Sequence, residues 1–347
     1  MTPPSVLHIS NEPVLGPDAR FVAAFAALAA EGHLTHTVIS PRADGLARAV
    51  ATAGEAAPRL VFVQTPGSFP WREGQVRDLL RLLGSPPVVF WEGDAWGGSK
   101  QLPPAARAWL RHADAVFSVA VGEQKALLGA LAPGRIDYVP NVLPLPSAEP
   151  PADTPPSDDI AFIGNRYLRF GLLERVVGNR DRARLVHGLQ RLPGTRTRVY
   201  GRGWRGPGAR GPVPFAEQVP VLRRARVTAG WDHYNHHHGY YSDRLPIALS
   251  TGRNHINSRQ PGLDWLPGPD HGLHLADTPE AAVELARCLL RADPQALAAA
   301  GARGSAWVRE RLTEREALLH MLSRHLPLPA PPDDPWAAFG PARCAAP

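Results

Sequence analysis

The sequence predicts an α/β protein of two Rossmann-like domains facing a central cleft. Two observations carry that prediction, short apolar strand-like runs alternating with amphipathic helical stretches and a Pro-rich segment after which the alternation restarts. The length of 347 residues agrees, because it exceeds what a single ordinary core organises.

The first strand is expected at Ser5–Ser10, and Phe21, Phe25 and Leu28 then fall on one helical face that Gly32 ends. Further strands are expected at 37–40, 60–64, 88–91, 116–119 and 136–139, with helices at 71–83 and 123–131. Such short apolar strands suit a parallel sheet covered on both faces. After the first strand the connection reads Asn11-Glu12-Pro13-Val14-Leu15-Gly16-Pro17, which has no G-x-G-x-x-G, so a dinucleotide dehydrogenase is not expected.

The second half mirrors the first. Residues 144–158 form the Pro-rich linker between an N-terminal domain at 1–143 and a C-terminal domain at 159–326. Strands are expected at 160–163, 198–200, 227–230, 255–257 and 273–275. Leu185, Leu189 and Leu192 mark one helical face, and further helices are expected at 245–249, 279–290 and 305–322. From 327 to 347 the chain is a Pro-rich tail.

Composition narrows the function. No apolar run reaches the roughly 20 residues of a membrane span, and the opening residues lack the basic start and apolar stretch of a signal peptide. The two cysteines are too few for a disulfide framework, so a cytoplasmic location is expected. Net charge is +6, but lysine occurs only at Lys100 and Lys125 and the arginines are dispersed. A guanidinium fork suits an anionic small molecule as well as a polynucleotide. No nucleic-acid recognition motif is present, so nucleic acid is not an expected partner.

The stretch from Trp231 to Pro261 is the richest in chemistry. Ser242 is placed to cap a helix, Arg244 falls in its first turn, and the free N–H groups there suit a phosphate. Tyr240 and Tyr241 supply hydroxyls or a stacking face. On the residues alone, a capped helix with a solvated arginine is the commoner arrangement. Asp232, His233, His236, His237 and His238 suggest a metal, but Gly239 and the aromatics argue for a loop, so no metal is expected. His238 is a candidate hydrogen-bond donor to a phosphate and a catalytic candidate.

In the first domain, the strand ending at Trp91 runs into Glu92-Gly93-Asp94-Ala95-Trp96. Asp94 or Glu92 is the candidate base for an acceptor, and Trp91 and Trp96 the candidate platforms for a sugar face. Glu12 and Asp18 are secondary acceptor-binding candidates.

Four stretches together resemble GT-B glycosyltransferases, nearest the family 4-like group that includes spore maturation protein B-like enzymes. They are Ser242, Arg244, Ala248, Leu249 and Gly252; Phe162-Ile163-Gly164-Asn165-Arg166; Tyr200-Gly201-Arg202-Gly203-Trp204; and Tyr138-Val139-Pro140-Asn141. The resemblance implies transfer of a sugar from a nucleotide-activated donor to a small soluble acceptor. The donor would sit on Gly164, Asn165, Arg166, Arg202, Gly203, Trp204, Tyr240, Tyr241, Ser242 and Arg244. It also implies retained stereochemistry, no cofactor beyond the nucleotide-sugar co-substrate, and no metal, the arginines stabilising the departing diphosphate instead. Ile247 stands where the family carries a glutamate for the ribose. That departure leaves open a different phosphorylated donor, such as phosphoribosyl diphosphate, or a non-catalytic nucleotide-sugar binding protein.

Overall fold

The computed structural model describes residues 2–16, 19–66, 69–97, 101–144, 155–169, 173–174, 176, 178–329 and 336. Packing divides the chain into two units. The first takes the chain to Pro140 and the segment from Thr313 onward, and the second takes Asn141–Leu143 and the stretch ending at Leu312.

The first unit is a six-stranded parallel sheet of β1 (Ser5–Ile9), β2 (Thr35–Ile39), β3 (Leu60–Gln64), β4 (Val88–Glu92), β5 (Ala115–Ser118) and β6 (Arg135–Tyr138). Its order is β2-β1-β3-β4-β5-β6. Helices α1 (Val22–Ala30), α2 (Pro41–Asp44), α3 (Leu46–Ala56), α4 (Glu73–Leu82), α5 (Pro104–Leu110) and α6 (Glu123–Gly129) connect the strands. Strands β3 and β4 are buried at every position, as strands covered on both faces must be. Leu7, Val61, Phe90 and Trp109 belong to one continuous core.

The second unit repeats the plan with β7 (Asp158–Ile163), β10 (Thr197–Tyr200), β11 (Ala209–Gly211), β12 (Ala225–Ala229), β13 (Asn254–Ser258) and β14 (Leu273–Ala276). A short antiparallel pair, β8 (Leu168–Arg169) and β9 (Leu173–Glu174), follows β7. The main sheet is parallel, in the order β11-β10-β7-β12-β13-β14. Helices α7 (Asn179–Gln190), α8 (Gln218–Arg223), α9 (Arg244–Ser250), α10 (Pro279–Arg291) and α11 (Pro294–Arg311) belong to this unit. Its core gathers Ile160, Phe162, Leu185, Leu189, Val199, Val227 and Ile256. Each strand expected from the sequence is present within two residues of its anticipated limits.

Two features differ from expectation. The helix anticipated over 305–322 is two helices, α11 and α12 (Glu314–Leu322). Leu312 leaves helical geometry, and the Thr313 side chain accepts from the Glu316 N–H at 3.3 Å, starting α12 afresh. Packing also places α12 with the first unit, where it lies on α1 and Arg20 meets Glu314 at 3.1 Å. The anticipated linker at 144–158 and the tail from 327 lie mostly outside the described residues. Trp336 is described, 2% exposed, with its ring 5.7 Å from His320.

Candidate active site

In the second unit the chain leaves β7 for β10 on one side and later returns to β12 on the other. This reversal opens a crevice at the carboxyl ends of β7 and β12, the position where sheets of this kind hold ligands. The loops after β7, β10, β12 and β13 converge on this end of the sheet.

The first two of these loops are zipped together. Gly164 N–H donates to the Tyr200 carbonyl and Arg166 N–H to the Arg202 carbonyl, each at 2.9 Å. Arg202 N–H returns a bond to Asn165 Oδ1 at 2.8 Å, and the Trp204 indole donates to the Gly164 carbonyl at 2.6 Å. Gly201 and Gly203 have φ of +129° and +82°, and a Cβ on either would collide with the carbonyl of Gly164 or of Arg166. Both glycines thus permit the close approach of two backbones, and Gly203 also lines the cavity beside them. Gly164 likewise faces the Phe162 ring, 3.1 Å from where its Cβ would stand. Arg166 lies 5.9 Å above the Trp204 ring. With Tyr167, His187 and Arg205 these two side chains line a cavity of about 440 Å³.

The loop between β12 and α9 is organised by a carboxylate that the sequence raised only as part of the histidine cluster. Asp232 is 2% exposed. Its Oδ2 accepts from Asn257 at 2.9 Å and Gln260 at 3.0 Å, and its Oδ1 accepts from the Ser242 N–H at 3.3 Å. Asp232 N–H donates to Ser258 Oγ at 3.0 Å. Four bonds thus tie the start of the loop to its end and to the β13 exit. Ser242 is not the helix cap: Asp243 holds that position, without a side-chain bond, and the Ser242 N–H donates to Asp232. Tyr241 is buried at 1%, and its carbonyl accepts from Asn141 at 2.9 Å. Tyr240 and His238 are half-buried. The Gly262 backbone packs against the His238 ring, and Gly239 N–H donates to the Pro261 carbonyl at 2.8 Å. Among the described residues, no group of three or more His, Cys, Asp or Glu could hold a metal ion.

Two guanidinium groups occupy this end of the sheet. Arg244, half-buried in the first turn of α9, feels burial working against its charge. Asp243, Asp232, Tyr240 and Tyr167 outweigh that effect and raise its pKa. Arg182, on α7, is 3% exposed and absent from the candidates. Burial and the nearby charge of Arg244 lower its pKa to about 9. Its signal in the sequence was positional, since Asn179, Arg182, Val186 and Leu189 follow the 3-4-3 spacing of a buried helix face.

In the first unit, Glu12 follows β1 at the corresponding reversal between β1 and β3. Its N–H donates to Ser10 Oγ at 3.2 Å, and its carbonyl accepts from Ser40 Oγ at 2.7 Å. Its carboxylate accepts from Gln64 at 3.4 Å, and Gln64 bonds the ring of fully buried His8 at 3.1 Å. Asp18 lies outside the described residues. Glu92 is fully buried, and its Oε1 accepts from the Asp94 N–H at 3.0 Å, so it shapes the turn that presents half-buried Asp94. Trp91 does not offer a sugar platform. It is 2% exposed, with its ring edge-on to Phe21 at 4.9 Å and beneath Arg20 at 5.1 Å. Trp96 likewise joins the core, and its N–H donates to Gln124 at 2.9 Å.

Residues 180–323 match a family model described as glycosyl transferase-like. No curated protein matches the sequence. Solved structures similar to this chain include Anabaena Alr3699/HepE in complex with UDP and glucose, at 14% identity and a TM-score of 0.58, covering 92% of this chain and 100% of that one. A sucrose-phosphate synthase from Thermosynechococcus elongatus is 15% identical with a TM-score of 0.59, covering 92% and 98%. An alpha-glucosyltransferase in complex with UDP-glucose and DNA containing an abasic site is 11% identical with a TM-score of 0.62, covering 89% and 95%. The fold is GT-B, with two Rossmann-like units, and the chain carries a glycosyl transferase-like domain.

Proposed function

We propose that the protein transfers a sugar from a nucleoside-diphosphate donor, held by the second unit, to a small soluble acceptor held by the first. The observation that carries this reading is the pair of arginines, Arg182 and Arg244, at the carboxyl ends of β7 and β12 inside the segment that matches the glycosyl transferase-like model. Neighbours of the same fold contain UDP or UDP-glucose, which makes a uridine nucleotide the first donor to test.

Breaking the bond between sugar and diphosphate places growing negative charge on the leaving phosphate. Cations fixed in a partly dry site stabilise that charge more than they stabilise the bound donor, which lowers the barrier. Arg244 is the principal candidate, with Arg166 and Arg202 on the adjoining loops. Asp94 is the candidate base toward the acceptor hydroxyl or amine, and Glu12 the candidate for binding it. His238 would contribute a hydrogen bond to the donor. Retention of stereochemistry and independence from metal belong to the same proposal, as does membership of the spore maturation protein B-like group.

Ile247 favours an atypical ribose contact. It is 1% exposed in α9, so the family's glutamate position is apolar core here. Titration with UDP-glucose tests the reading. Arg244→Ala is expected to weaken donor binding by about tenfold or more, because a charge-assisted contact is lost. Unchanged donor affinity in that variant would remove Arg244 from the site.

A further inference from the structure

Arg182 is a buried cation whose charge has no carboxylate partner among the described residues. Its Nε and Nη2 donate to the Trp231 carbonyl, Nε at 2.8 Å, and its Nη1 donates to the Asn165 carbonyl at 2.7 Å. Asn165 follows β7 and Trp231 follows β12, so one guanidinium bridges the two loops that flank the crevice. Among the described residues, no carboxylate lies within 4.0 Å of it; the charges and hydroxyls acting on it are Arg244, Asp232, Tyr240 and Tyr167. Asp232 is engaged by Asn257, Gln260 and the Ser242 N–H.

Loop bridging alone does not call for a permanent charge. Burying an unpaired cation is costly, and neutral carbonyls offset only part of that cost. The second cation, Arg244, adds to it. Asp232 acts on both cations and Asp243 on Arg244, while the hydrogen bonds of Arg182 itself go to carbonyls alone, a setting that suits an anionic ligand. Of the five N–H groups of the Arg182 side chain, three donate to the two carbonyls, leaving one on each terminal nitrogen.

We propose that Arg182 is the buried counter-charge of the donor's diphosphate, a positioning residue that holds the β7 and β12 loops at the spacing the phosphates require. This rests on the nucleoside-diphosphate reading of the second unit. The diphosphate would bring negative charge to a guanidinium whose own hydrogen bonds go to neutral carbonyls. Selectivity for a diphosphate over a bare nucleoside therefore resides in Arg182 together with Arg244.

The test compares UDP with uridine, the latter measured as a competitor of UDP, on the full chain. Arg182→Gln is expected to weaken UDP by about tenfold or more while uridine changes by less than about twofold. A purely structural role would weaken both alike, and that result would overturn the inference while leaving the donor reading intact. Arg182→Lys, which keeps charge but not the two-loop bridge, is expected to retain part of the preference for UDP. If Arg182→Gln does not fold, Arg182→Lys decides the matter: weakening of UDP and uridine alike in that folded variant would overturn the inference. Failure of the wild-type protein to bind UDP, other nucleoside diphosphates or pyrophosphate would overturn both this inference and the donor reading.

Discussion

Single buried residues in both sheets show how burial dictates chemistry. His8 is fully buried, and burial followed by the proximity of His36 lowers its pKa to about 3. His255, 2% exposed, is lowered to about 3 by burial and His274. Both fold as neutral rings, and the unfolded chain takes up protons first as pH falls below 6.5. Their contribution to stability is complete above pH 6.5 and is lost as pH falls from there toward 3. Thermal melts between pH 7 and 5, above the range where carboxylates titrate, are expected to show a falling Tm. His8→Gln should give a shallower decline, and a flat wild-type profile would contradict the account. The candidate list gathered from the sequence shows the same division. Arg166, Arg202 and Tyr240 stand on converging loops and Arg244 in the first turn of α9, whereas Trp91, Trp96 and Glu92 are buried structural groups. Aromatic identity beside a strand end does not reveal which face of the strand the ring occupies, and here the inner face prevails. Asp232 stood out only as part of the histidine cluster, and Arg182 only as a position on the buried face of α7, because the partners that give each its role are brought together by the fold alone.

At the scale of elements, strands were the most legible feature. Runs such as Leu60–Gln64 and Val88–Glu92 are short, continuous and β-branched or aromatic, which is what a strand buried on both faces requires. Helices were less legible where alanine dominates. The first half of α11, Pro294-Gln-Ala-Leu-Ala-Ala-Ala-Gly, has no apolar stripe, although Asp293 caps it by accepting from the Gln295 and Ala296 N–H groups. The break before α12 was legible in principle, since Thr313 and Glu316 have the spacing of a capping box. Thr313→Ala is expected to cost about 1 kcal/mol of stability through loss of the cap. Chemical denaturation would read this as a lower midpoint with an unchanged slope. No change would mean that packing of α12 on α1 alone sets the start of the helix.

For the whole molecule, the two sheets have different strand orders. The first unit reverses direction between β1 and β3, and the second between β7 and β12, so each has one crevice of its own. The alternation of strands and helices made this architecture readable, because right-handed parallel crossovers leave few ways to lay out such a pattern. The return of α12 to the first unit was not readable, since the apolar face of a terminal helix does not state which core it covers. Binding of a nucleoside-diphosphate donor is the central claim. Its most direct test is a thermal-shift panel of nucleoside diphosphates and nucleotide sugars on the full chain, with and without EDTA. The account predicts that one nucleotide series stabilises the protein selectively and equally in both conditions. The gain should be about 2.7 kcal/mol at 100 times Kd. Absence of stabilisation by every nucleotide tested would contradict it.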